Sequence, residues 1–123
     1  MSATALEISA SRFGENHTPF LSARRVADLL GVTLTELAGL IGVARNTLTA
    51  RTGARKVDAA LSPVVRILAM AGEMAGDEQR AAIWFKHQPI PGWAGKTAYD
   101  LAREGKTDKV LAYLEAVRSG VYA

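Results

Sequence analysis

The spacing of apolar residues along this chain predicts a series of short amphipathic helices. From residue 22 onward, Val26, Leu29 and Leu30 follow the i, i+3, i+4 spacing of one helix face. Gly31 comes next, and glycine is the residue that most readily takes the left-handed conformation found at helix ends. The pattern therefore predicts a first helix over Ser22–Leu30, preceded by a polar segment without helical periodicity.

A capping box predicts where a second helix begins. The hydroxyl of Thr33 can accept a hydrogen bond from the amide of Glu36, whose carboxylate can accept one from the Thr33 amide. The apolar stripe then continues to Gly42, which ends the helix, and a third helix is predicted from residue 44 or 45 with Leu48 facing inward. Two short helices, a tight turn and a polar third helix are typical of a helix-turn-helix.

The segment after this unit allows two interpretations. Residues 53–56 predict a flexible basic turn, and Ser62-Pro63 has the sequence of an N-cap and first helical position, so a helix is predicted from there to about Met74. Alternatively, the helix begins near Lys56 and is kinked at Pro63. Met70 and Met74 are predicted to fill a core or a dimer contact.

Three further helices are predicted in the rear of the chain. Asp77 is the N-cap of the first, whose apolar side includes Trp84, and the Pro89–Gly92 loop ends it. Thr97 caps a short helix, and Thr107 caps a last helix that ends at Gly120. The fold class predicted is all-α, a small helix-turn-helix bundle followed by a short helical domain. The expected divisions are a flexible arm at 1–20, a first domain at 21–75 and a second at 76–123.

Charge is concentrated in the front of the chain. Residues 1–72 carry eight Lys and Arg against five Asp and Glu, whereas the remaining residues carry seven of each. A basic surface attracts polyanions, and Arg and Asn side chains can bind guanine and adenine in the major groove. The residues predicted to contact DNA are Arg24, Arg25, Thr35, Arg45, Asn46, Thr47, Thr49, Arg51, Arg55 and Lys56. A helical hairpin whose polar residues are merely solvated is the alternative.

The remaining composition argues against an enzyme. There is no cysteine and there are only two histidines, so neither a disulfide nor a thiolate metal site is expected, and no metal or cofactor is predicted. Residues 92–97 end in Gly-Lys-Thr but lack the glycine spacing of a phosphate-binding loop. No leader or membrane-spanning run is recognised, so a cytoplasmic protein without membrane attachment is expected.

The chain resembles the antitoxins of the Xre/MbcA/ParS family from about Ser22 to Ala123. The residues that carry the resemblance are Leu37-Ala38, Gly42-Val43 and Arg45-Asn46-Thr47-Leu48 in front, then Ala82-Ile83-Trp84-Phe85, Pro89-Ile90-Pro91, Gly95-Lys96-Thr97-Ala98, Asp100-Leu101, Glu104-Gly105-Lys106, Val110-Leu111, Tyr113-Leu114 and Gly120 behind. The resemblance implies a partner among RES-domain toxins, which degrade NAD. It also implies that the rear domain covers the toxin's active site and that the front domain represses the shared operon.

On this basis, the chain is expected to be a homodimeric antitoxin that binds operator DNA. The residues expected to face the toxin are Trp93, Lys96, Tyr113, Val117, Gly120, Val121, Tyr122 and Ala123. Whether Trp93 packs as a lid or stays exposed is left open, as is whether the last three residues enter a cleft or fold back. Two alternatives remain, namely a stand-alone repressor whose rear half serves dimerisation or sensing, and an interaction adaptor that does not bind DNA.

Overall fold

The computed structural model describes residues 22–120, and within that range the chain is helical. The helices are α1 (Ala23–Leu30), α2 (Leu34–Ile41), α3 (Ala54–Ala75), α4 (Glu78–His87), α5 (Ala98–Arg103) and α6 (Thr107–Arg118). Two short 3-10 turns, Arg45–Leu48 and Arg51–Gly53, connect α2 to α3. The predicted all-α class is confirmed. The predicted arm at 1–20 and the tail at 121–123 lie outside the described residues.

The first two helices begin and end where the sequence predicts. The Ser22 hydroxyl accepts a hydrogen bond from the amide three residues later, and Gly31 ends α1 with a φ of 68°. Both hydrogen bonds of the capping box at α2 are present. The Thr33 amide donates to the Glu36 carboxylate at 2.8 Å, and the Glu36 amide donates to the Thr33 hydroxyl at 3.0 Å. Gly42 ends α2 with a φ of 77°, a conformation that residues with a Cβ adopt reluctantly.

The third predicted helix begins at Arg45 as expected, but it is a four-residue 3-10 helix and not an α-helix. Residues 45–48 form one 3-10 turn, Ala50 is extended, and residues 51–53 form another. Ala44 supplies no side-chain hydrogen bond to the helix start. Thr47 and Thr49 have branched side chains that lose rotamer freedom in a helix, so a short uncapped segment gains little by becoming α-helical.

The prediction that Ser62 caps a helix is also wrong, because α3 already begins at Ala54 and Pro63 lies inside it. The predicted flexible basic turn therefore forms the first turn of α3. A proline inside a helix removes one hydrogen bond and usually costs about 3 kcal/mol. In this 22-residue helix, the burial of Leu61, Val64 and Leu68 offsets that cost. The alternative with an earlier start is closer to the structure.

One hydrophobic core joins the two halves of the described chain. Helix α3 packs against both α4 and α6, while α1 contacts α4 and α2 contacts α5. Phe85 is fully buried and meets the ring of Tyr99 edge-on, with 6.1 Å between ring centroids. The predicted boundary between residues 75 and 76 coincides with the end of α3 at Gly76. The core continues across that boundary, from Val26 to Leu114.

Within residues 22–120, no single helix is long and apolar enough to cross a membrane. The bent pair formed by 51–75 and Glu78–His87 satisfies the length and composition requirement only when the two are taken together.

Candidate functional site

The chain between α2 and the start of α3 presents four basic side chains with no acid among them. From Glu36 to Asp58 the sequence holds four cations, Arg45, Arg51, Arg55 and Lys56, and no carboxylate between those two acids. All four are exposed. The two 3-10 turns contact each other and α3, so the elements that carry the four cations are packed together. We call residues 45–56 the basic segment.

Backbone hydrogen bonds and one apolar side chain hold the basic segment in place. The amide of Thr47 donates to the Ala44 carbonyl at 3.0 Å, and the amide of Gly53 donates to the Ala50 carbonyl at 3.0 Å. Leu48 is half-buried and packs against the core. The segment is therefore anchored from within, and its polar side chains other than Thr47 are exposed.

The predicted DNA-contacting residues fall on five elements, with Arg51 on the second 3-10 turn and Arg55 and Lys56 in the first turn of α3. Arg45, Asn46 and Thr49 are exposed on or directly after the first 3-10 turn, and Thr47 is half-buried. Thr35 is exposed on α2, which contacts that turn. Arg24 and Arg25 are exposed on α1, which packs instead on α2, α3 and α4. The structure thus groups the predicted residues of the basic segment, and Arg24 and Arg25 belong to a separate element.

A second candidate surface includes the loop between α4 and α5. Trp93 is half-buried in this loop, and the ammonium of Lys106 lies 5.6 Å from its ring centroid. The Glu104 carboxylate is 2.7 Å from Lys96 and 3.1 Å from Lys106. The hydrogen bonds from Lys96 and then from Lys106 lower the pKa of Glu104 below its ordinary value. The loop is therefore tied to the turn before α6, and Trp93 is held as part of that cluster.

The remaining predicted partner-facing residues lie on and after α6. Tyr113 and Val117 are half-buried, and Tyr113 packs against the core. Gly120 is exposed and has a φ of 86°. Val121, Tyr122 and Ala123 lie outside the described residues. The two predicted alternatives for them, entering a cleft or folding back, therefore stay predictions.

Sequence reasoning missed an apolar groove on the outer side of α4. Its cavity volume is about 230 Å³, and its lining is Arg80, Ile83, Trp84, His87 and Gln88. Ile83 is 61% exposed, more than any other large hydrophobic residue in the described chain. We call this surface the Ile83 groove. A signal was present, because five consecutive apolar residues at 81–85 cannot all face the core from one helix.

Two further titratable groups in the described chain, Glu36 and Tyr99, have shifted pKa values. No group of three or more His, Cys, Asp or Glu side chains within 22–120 could hold a metal ion. The pKa of Glu36 is lowered by the Thr33 backbone amide and then by the Thr33 hydroxyl. Burial raises the pKa of Tyr99. These shifts come from helix capping at Glu36 and from packing at Tyr99.

Two family models match the chain, one over each half. A model described as the antitoxin Xre-like helix-turn-helix domain matches residues 9–65. A model described as the antitoxin Xre/MbcA/ParS C-terminal toxin-binding domain matches residues 70–120. No curated protein and no solved structure matches the chain. The basic segment lies within the first match, and the Ile83 groove and the Trp93 loop lie within the second.

Proposed function

We propose that this chain, which belongs to the Xre/MbcA/ParS antitoxin family, neutralises a RES-domain toxin and represses the operon that encodes both. The family has a helix-turn-helix domain that binds DNA and a C-terminal domain that binds a toxin. The family is not enzymatic. Neutralisation is then steric and electrostatic, because the rear domain covers the toxin's active site, where NAD would otherwise be degraded. It requires no cofactor of the chain's own.

The basic segment is the observation that carries the DNA-binding half of the proposal. Its four exposed cations have no carboxylate among them, so the segment attracts phosphates through a net positive charge. Each phosphate neutralised by Lys or Arg releases condensed counterions and thereby increases affinity. We assign base contacts to Arg45 and Asn46, whose side chains suit guanine and adenine. Backbone contacts are assigned to Arg51, Arg55 and Lys56.

For the toxin-binding half, the support comes from exposed apolar and aromatic side chains in the matched range. Ile83 and Trp84 border an open groove, and covering apolar surface releases about 25 cal/mol per Å² removed from water. Tryptophan and arginine are the residues that most often dominate binding energy at protein interfaces. We therefore propose that the toxin contacts the Ile83 groove together with the Trp93 loop and α6.

Co-expression with the adjacent open reading frame tests this function. The neighbouring protein alone is expected to arrest growth and deplete cellular NAD, and co-expression of this chain should restore both. Growth arrest without a fall in NAD would contradict the RES-domain assignment. Arrest that this chain does not relieve would contradict the antitoxin role itself.

We further propose that the chain acts in the cytoplasm as a homodimer, because helix-turn-helix proteins commonly bind two half-sites through two-fold symmetry. Light scattering on the purified chain tests the dimer. The exposed Ile83 also favours one alternative, a stand-alone repressor that uses the groove to dimerise. In that case a substitution at Ile83 would convert dimers to monomers, and the neighbouring protein would not bind.

A further inference from the structure

Gly53 lies against the backbone of Thr47 more closely than any residue with a side chain could. A Cβ placed on Gly53 would be 2.6 Å from the Thr47 carbonyl oxygen and 2.8 Å from its Cγ2. Real Cβ atoms essentially never approach another atom within 3.0 Å. The backbone of Gly53, with φ −90° and ψ −1°, is one that other residues also adopt. Glycine is therefore required here for space and not for conformation.

This contact joins the two turns of the basic segment. Thr47 belongs to the first turn, which carries Arg45 and Asn46, while Gly53 ends the second turn and directly precedes α3. Because the obstructing atom is a backbone carbonyl, it cannot rotate aside as a side chain would. A Cβ at position 53 must instead displace one turn relative to the other.

We propose that Gly53 is a positioning residue for base recognition, an inference that rests on the proposed operator binding. Because Gly53 has no side chain, the two turns can pack closely together. This close packing fixes the position of Arg45 and Asn46 relative to the cations at the start of α3. Hydrogen bonds to base edges require donor–acceptor distances of about 2.7–3.2 Å and good alignment, so a small displacement of the first turn disrupts them. Long Arg and Lys side chains can follow phosphates through the same displacement, and these contacts carry no sequence information.

Gly39 offers a matched control. It lies inside α2, is exposed, and has no atom within 4 Å of the place where its Cβ would be. Gly39→Ala adds the same methyl group to the same helix-turn-helix without a clash. Alanine is also the better helix former, so the fold should be kept or slightly stabilised.

The experiment compares the full-length wild type, Gly53→Ala and Gly39→Ala by fluorescence anisotropy. Each is titrated with a duplex from upstream of its own gene and with a scrambled duplex of equal composition, at several salt concentrations. Gly53→Ala is expected to reduce the preference for the upstream duplex by about tenfold, the scale of one lost base contact. Affinity for the scrambled duplex and the salt slope should stay at wild-type values, and Gly39→Ala should match the wild type throughout.

The outcomes separate this inference from the proposed function. A wild type without preference for the upstream duplex would overturn operator binding, and this inference with it. A wild-type preference that survives in Gly53→Ala would overturn the inference alone. An equal loss of affinity for both duplexes would also overturn it, because that result indicates general damage and not misplaced base contacts.

A second variant covers the case in which Gly53→Ala does not fold, as judged by circular dichroism. One glycine inserted after Ala50 lengthens the connection between the turns without introducing a clash. It is expected to lower the preference for the upstream duplex by a similar factor. Wild-type preference in this insertion variant would overturn the positioning role.

Discussion

Arg45 and Ile83 are both exposed, and each leaves an interaction incomplete in the isolated chain. Arg45 lies in a stretch without carboxylates, so its charge is available to an anion. Ile83 places an apolar side chain in water at the edge of a groove, where a partner could cover it. Single substitutions at these two positions can therefore test the two proposed interfaces separately.

Arg45→Ala is expected to weaken binding to the upstream duplex by about 1–3 kcal/mol, because a bidentate contact to guanine would be lost. Lys56→Ala should instead weaken binding to all duplexes alike and reduce the salt slope by about one, as a phosphate contact would. Anisotropy titrations at several salt concentrations measure both. If Arg45→Ala lowers affinity equally for every sequence, Arg45 contacts the backbone and not a base.

Ile83→Ser is expected to weaken toxin binding by about 1–2 kcal/mol, because full burial of an isoleucine side chain contributes about 1.5–3 kcal/mol and 61% of Ile83 remains to be covered. The melting temperature should hardly change, since Ile83 is already exposed in the isolated chain. Met74→Ser is the control, because Met74 is the other exposed large hydrophobic in the same matched range. Isothermal titration calorimetry measures the affinities, and equal values for wild type and Ile83→Ser would rule out the groove as the toxin contact.

At the scale of elements, the helices with side-chain caps were predicted most accurately. Thr33, Asp77 and Thr97 each make the expected hydrogen bond at a helix start. The predicted cap at Thr107 is wrong, because Thr107 is the first residue of α6 and Lys106, which precedes it, makes no side-chain capping hydrogen bond. The 3-10 form of the third helix was not predicted, because α-helical and 3-10 turns differ only in which backbone carbonyl accepts each hydrogen bond. Sequence periodicity over so few residues does not distinguish them. The start of α3 was misplaced because Pro63, which suits a first helical turn, lies in the interior and is compensated by burial.

The candidate site was predictable only where composition carries the signal. The cations of the basic segment could be identified from the sequence, because the residue type alone gives the charge of a side chain, whatever its neighbours in space. The close approach of Gly53 to Thr47 could not, since it depends on how two turns meet in space. The Ile83 groove was missed for a similar reason, because which apolar residue of 81–85 faces outward depends on how α4 packs.

The capping box of α2 makes stability depend on pH. The Glu36 carboxylate accepts a hydrogen bond from the Thr33 amide, which lowers its folded-state pKa below the ordinary 4.5. This contribution is therefore present above pH 4.5 and is lost as the pH falls through the lower folded-state pKa.

Glu36→Gln should accordingly reduce the loss of melting temperature on acidification below pH 4.5, because the variant has no carboxylate to protonate at the cap. Thermal melts followed by circular dichroism across that range measure the difference. Glu73→Gln, at an exposed position on α3 away from a helix start, is the control. Parallel pH dependences for Glu36→Gln and the wild type would contradict the role of the cap.

At the scale of the whole molecule, the two matched domains share one interior. Phe85 and Val110 from the rear half are completely buried in the same cluster as Val26 and Leu37 from the front. Separating the halves would expose these side chains to water. We therefore expect the described region to behave as one cooperative unit, and the two predicted domains to depend on each other for stability.

Fragments test this dependence. A chain of residues 22–75 and another of 76–120 are each expected to lack a cooperative melt, because each loses the packing of α3 against α4 and α6. The 22–120 chain should unfold in a single transition by circular dichroism and fluorescence. A fragment with dispersed amide signals and its own sharp melt would show that the domains fold independently.

The continuous core also limits how such genes can recombine. A crossover at Gly76 that joined this front half to the rear half of a relative would place Phe85 and Val110 against foreign neighbours, and misfitting interiors are commonly destabilised by about 1–3 kcal/mol. Under the proposed function, the choice of operator DNA and the choice of toxin would thus be inherited together. New pairings are expected to evolve through point changes on the outside, at positions such as Arg45 and Ile83, and not by exchange of whole modules.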